Sequence, residues 1–138
     1  MGLDCTHDAF HGSYSAFNRF RKAVAKAAGG SYPPHDIVHP ETGEPLDNRF
    51  WYIDTDKYSR ETHPGLYIFL SHSDCDGEIS PEDCEKVAND LEELLSIIDR
   101  MGMGTGHIAR DGGYGAVCRR FIAGCRLAAK RREPLEFL

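Results

Sequence analysis

The chain has 138 residues, 41% of them hydrophobic and 28% charged, with a net charge of −6. That length suits a single domain spanning 1–138 whose core closes without staples, and that composition excludes a disordered chain. The negative charge disfavours non-specific nucleic-acid binding. No apolar run reaches the ~18 residues of a membrane helix, and no basic-then-apolar leader opens the chain, so a cytoplasmic protein with no membrane partner is expected.

The start MGLDCT fits a loose myristoylation pattern, yet Gly2 to Thr6 also reads as a short strand. Apolar residues at Tyr14, Phe17, Phe20, Val24 and Ala27 predict a helix from Ser13 to about Ala28, stopped by Gly29-Gly30. Arg19, Lys22 and Lys26 fall on its far side. Arg21 lies beside the apolar stripe, near Tyr14 and Asn18. Residues 31–49 carry four prolines and read as a loop. Phe50 to Ile53 suits a strand, and Pro64 to Leu70 is ambiguous between helix and strand.

A strong helix signal starts at Ser80, a good N-cap followed by Pro81 at the first helical position and Asp83 three residues on. Its stripe is Cys84, Val87, Ala88, Leu91, Leu94, Leu95 and Ile98. MGMGTGH breaks the pattern. A last helix runs from about Gly113 to Arg131 over Tyr114, Val117, Cys118, Phe121, Cys125 and Ala128. Pro134 ends it, and Leu135 to Leu138 suits a strand that pairs with Gly2 to Thr6. The expected class is α+β: a helix-dominated domain with a small antiparallel sheet pairing the two termini.

Five cysteines without CxxC spacing argue against a disulfide framework or a zinc knuckle. Charge is uneven along the chain. Residues 80–99 hold seven acids and one lysine, and residues 119–132 hold six bases and no acid. Two mutually attracting helix faces explain that; so does a basic surface that receives an anion.

Residues 72–83, HSDCDGEISPED, follow the EF-hand register when Gly77 is set at the sixth position. Asp74, Asp76 and Glu78 then fall at positions three, five and seven, Ile79 at eight and Asp83 at twelve. His72 at position one and the short Asp83 at twelve suit calcium poorly. His72 with Asp74 or Asp76 is an alternative for a divalent transition metal, and a plain capped turn is the third reading. His7 and His11, like His35 and His39, have i,i+4 spacing but lie outside predicted helices. Gly102 to Gly115 has six glycines leading into a helix. It reads as a linker or, with Arg110, as a phosphate cradle.

Taken together, GLDCTHDAFHGSYSAFNRFR, LSHSDCDGEISPEDC and EPLEFL resemble a family of small uncharacterised bacterial and phage proteins. The resemblance covers most of the chain and implies a common fold without an assigned activity. It marks Asp4, His7, Tyr14, Arg21, His72, Asp74, Asp76 and Gly77 as motif positions. A phage-type protein that binds a host protein or sequesters an anionic, nucleotide-like ligand is the leading expectation. Tyr14, Asn18 and Arg21 would contact that ligand, with Arg110 and Arg119. The rivals are a metal-dependent hydrolase using His7, His11, His72, Asp74 and Asp76, and a structural calcium loop that adds Glu78 and Asp83.

Overall fold

The structure, a computed structural model, describes residues 2–29, 57–59, 61–72 and 76–138. The proline-rich segment and the strand expected at Phe50 to Ile53 lie outside them. Among the described residues the chain is helix-dominated α+β, as expected. Strands β1 (Gly2–Cys5) and β2 (Phe10–Ser13) form an antiparallel hairpin with Gly2 opposite Ser13 and Cys5 opposite Phe10. A 3-10 turn at Thr6–Asp8 closes it. Along β1 the side chains alternate, with Leu3 and Cys5 buried and Gly2 and Asp4 exposed, as a half-buried strand requires.

Helix α1 (Tyr14–Ala27) follows directly, capped by the Ser13 hydroxyl accepting from Ala16 N–H. Helix α2 (Pro64–Ser71) takes the ambiguous run; a proline at the first position is tolerated because that N–H has no helical partner. Strand β3 (Glu78–Ile79) leads into α3 (Pro81–Asp99), whose cap is the expected Ser80 hydroxyl on Asp83 N–H. A short helix α4 (Gly106–Arg110) sits inside the glycine-rich segment, and α5 (Tyr114–Arg131) ends on Arg132 in the left-handed conformation. Strand β4 (Leu135–Glu136) pairs with β3, Ile79 facing Leu135. The chain end then reaches β1 through the Cys5–Phe137 bridge and the Leu138 N–H to Asp4 carbonyl bond of 2.8 Å. The two termini are therefore joined, with β2 and β3 as additional partners.

α3 packs chiefly on α5 and α2. The centre of the core is Phe17. Its ring lies 5.0 Å from Phe10, 6.2 Å from Phe20, 5.8 Å from Phe69, 6.1 Å from Phe121 and 5.7 Å from Phe137. Most contacts are edge-on, the arrangement favoured by the ring quadrupole. One aromatic each from β2, α2, α5 and the C-terminal segment meets α1 there, so the hairpin, the helices and the chain end share one cluster.

Arg21 belongs to this core as well. It is 2% exposed, with its guanidinium 4.5 Å from the Phe17 ring centroid. Its Nη1 points at the Leu70 carbonyl, 3.5 Å away, near the C-terminal end of α2 where helix carbonyls lack internal partners.

Candidate functional site

The residues expected to bind an anion are dispersed. Tyr14 begins α1 and packs half-buried against the core. Asn18 is half-buried one turn further on. Arg21 is buried among phenylalanines, so its fork is not offered at the surface. Arg119 makes a two-pronged bond to Asp99 at 2.7 and 2.6 Å, which holds the Asp99 carboxyl below its usual range. Arg110 is exposed at the end of α4.

A different set of bases converges. Arg19, Lys22 and Lys26 recur along one face of α1, a helix with no acidic residue. With Arg100 just past α3, and with Ala23, Met101 and Tyr114, they line an open groove of about 560 Å³. Lys22, Lys26 and Arg100 form no ion pair among the described residues. Arg19 reaches the Thr105 carbonyl at 3.4 Å, while its buried Nε has no hydrogen-bond partner among the described residues.

The glycine segment contributes Tyr114 to the groove and passes beside Arg19. Gly104 and Gly106 hold φ of 65° and 58°, a conformation that costs glycine nothing, so the backbone turns tightly past the Arg19 side chain. His107 fixes the segment to the start of α1 by accepting from Ser13 N–H at 2.8 Å. Tyr114 donates its backbone N–H to the Gly102 carbonyl at 3.1 Å, which seats its ring at the groove. The residues that sequence spacing assigned to the solvated side of α1 thus meet an aromatic and a fourth base. The available signal was a helix rich in bases and free of acids.

The residues expected to bind metal are also placed separately. His11 lies between two carboxylates, Nδ1 to Asp4 and Nε2 to Asp8, each at 2.8 Å. The two carboxylates meet opposite sides of one ring, so they do not converge on a point as ligands of one ion would. Arg120 completes the cluster on Asp8 at 2.6 Å. His7 is turned to Glu133 at 3.1 Å and to Thr6.

In the 72–83 segment, Asp74 lies outside the described residues. His72 stacks on Phe137 with ring centroids 4.1 Å apart, and its Nε2 lies 3.1 Å from the Glu78 carbonyl. Position one and the position-seven carbonyl of the EF-hand register are thus joined directly, where a calcium ion would bridge them. Gly77 has φ of 89° and supplies the expected sharp turn. The Glu78 side chain is exposed on β3, Asp76 is exposed, and Asp83 sits 3.6 Å from Lys86.

Cys5, Cys84, Cys118 and Cys125 are free and buried. Burial pushes Cys5 and Cys118 up to about 12, so neither is a thiolate nucleophile at neutral pH. Cys75 lies outside the described residues.

No family model, no curated protein and no solved structure matches this chain. Among the described residues, no helix is long and apolar enough to cross a membrane.

Proposed function

We propose that the protein binds a small anionic, nucleotide-like ligand in the groove between α1, Arg100 and the glycine segment. The observation that carries the reading is the charge imbalance there: four bases and a tyrosine line one groove of a chain whose net charge is −6. Fixed cations without acidic partners retain their field for a diffusing anion. Lysine and arginine suit phosphate oxygens, and the Tyr114 ring suits a base, since stacking tolerates any heterocycle. Sequestration fits better than turnover, because no activated nucleophile accompanies the bases among the described residues. A phage-type role rests on the segment resemblance.

The test is calorimetric titration of the full chain with ATP, adenosine and inorganic phosphate at low salt. Binding of ATP, weaker binding of phosphate and none of adenosine are expected, with loss of ATP binding in the Lys22→Ala/Lys26→Ala double variant. Absence of ATP binding, or equal binding by that variant, overturns the reading and favours a host protein as the partner.

A further inference from the structure

A second constellation lies at the junction of α2 and α3, apart from the groove and from every metal ligand expected by spacing. His63, Asp90 and Glu93 bring one imidazole nitrogen and two carboxylate oxygens within 4.8 Å of one another. His63 Nε2 lies 2.7 Å from Glu93 Oε2. We infer that His63, Asp90 and Glu93 form a binding site for a divalent transition ion of the zinc class.

The supports around these residues orient them toward one point. Ser59 and Thr62 exchange hydrogen bonds, Ser59 N–H to Thr62 Oγ1 at 3.0 Å and Thr62 N–H to Ser59 Oγ at 3.2 Å, and Ser59 carbonyl accepts from His63 N–H at 2.8 Å. The same Thr62 hydroxyl meets His63 Nδ1 at 2.8 Å. That leaves Nε2 to face the carboxylates, and a hydrogen-bonded far nitrogen is the usual support of a histidine ligand. Tyr58 packs on the ring with centroids 4.7 Å apart, and the His63 side chain is 13% exposed.

Asp90 and Glu93 are i,i+3 on α3 and so share a face. Asp90 is held by its Oδ2, which accepts the Leu66 N–H at 3.2 Å. The Gly65 backbone also hydrogen-bonds this carboxylate, and a carboxylate has about four lone-pair sites, which leaves capacity for an ion. Gly65 permits the approach of the two helices: a Cβ there would sit 2.2 Å from the Lys86 carbonyl oxygen.

One nitrogen and two carboxylates suit a borderline cation better than calcium, which takes oxygen ligands, or a thiophilic ion. Tetrahedral ligands about 2.0–2.2 Å from zinc lie roughly 3.4 Å apart, so the His63–Glu93 pair, now at 2.7 Å, has to open slightly to admit an ion, while the trio as a whole, within 4.8 Å, needs only a small adjustment. Glu93, 47% exposed, is free to make it. On binding, the ion replaces the proton between His63 Nε2 and Glu93. Three protein ligands leave a position for water or an exogenous donor.

The test is titration of chelator-treated full-length protein with Zn2+ by calorimetry and with Co2+ by absorption. One equivalent of each is expected, with His63→Gln and Glu93→Gln each weakening binding at least tenfold, and His11→Gln leaving it unchanged. The melting temperature of metal-free Glu93→Gln should match the parent, because that side chain reaches solvent. Should His63→Gln fail to fold, Glu93→Gln decides alone. No stoichiometric binding, binding indifferent to these substitutions, or a thiolate-to-cobalt charge-transfer band would each overturn the assignment.

Discussion

Two basic regions of this molecule have opposite electrostatic fates. Along α5, Arg119 is paired with Asp99, Arg120 with Asp8 and Arg126 with Glu92. Two of those acids belong to α3, so part of the contrast between the acidic 80–99 stretch and the basic 119–132 stretch is resolved between two packed helices. On α1, Arg19, Lys22 and Lys26 have no such acids among the described residues and line an open groove. A run of bases in sequence therefore says little about anion binding. What matters is whether the fold brings carboxylates to them. Arg21 is a third case, buried against rings and a helix carbonyl.

The sharpest way to break this comparison is at Arg21. Arg21→Ala removes a buried stem, a cation–π contact and a partner of the α2 carboxyl end. A stability loss of about 2–4 kcal/mol in urea unfolding is expected, ligand or no ligand. Arg21→Met, which refills the volume, should recover part of it. An unchanged unfolding midpoint in Arg21→Ala would show that the arginine is solvated rather than buried.

The groove bases should behave in the reverse sense. Lys22→Ala or Lys26→Ala, both at exposed positions, should weaken ATP binding by roughly 1.5–3 kcal/mol, the usual worth of a hydrogen bond to a charged group. Stability should move by less than about 0.5 kcal/mol, as at most surface positions. Comparable losses of stability in these variants would make the cluster structural and dissolve its distinction from α5.

Smaller still is the effect on α5. Arg126→Ala should cost about 0–1 kcal/mol, since exposed ion pairs contribute little, and ATP binding should not change. If it weakens binding as much as Lys26→Ala does, the anion site extends across both basic regions.

These contrasts explain which features were legible beforehand. The long elements were, because periodicity and caps are local: Ser80-Pro81 opens α3 and the Phe17 stripe marks α1. The joining of the termini was legible from two short apolar segments. β2 was not, because the hairpin turns on His7 and Asp8 at φ of 59° and 57°, a pair without the glycine that usually marks a tight hairpin turn. α4 is only five residues long and begins at a glycine. The groove depends on Arg100 and Tyr114 meeting α1, and the His63–Glu93 pair spans 30 residues. Both are products of helix packing that no spacing rule encodes.

The smallest expected effect distinguishes a pair that involves a histidine from one that does not. Facing His11 are Asp4 on β1, Asp8 in the turn and Arg120 on α5. The hydrogen bond that His11 donates to Asp4 raises the His11 pKa above its ordinary 6.5, with Asp8 adding to it and burial and Arg120 opposing. A histidine raised on folding contributes stability that is fully present below 6.5 and is lost as pH rises through the folded value. Asp8 is shifted the other way, lowered first by Arg120 and then by His11. Its contribution is present above its ordinary 3.8 and disappears as pH falls through the lowered value. The melting temperature should therefore decline slightly from mildly acidic to mildly alkaline pH, and separately at the acid end. His11→Gln should flatten the first decline and leave most of the second, because Arg120 still holds Asp8. If the alkaline decline persists in His11→Gln, some other group carries it and the imidazole is a bystander in the cluster.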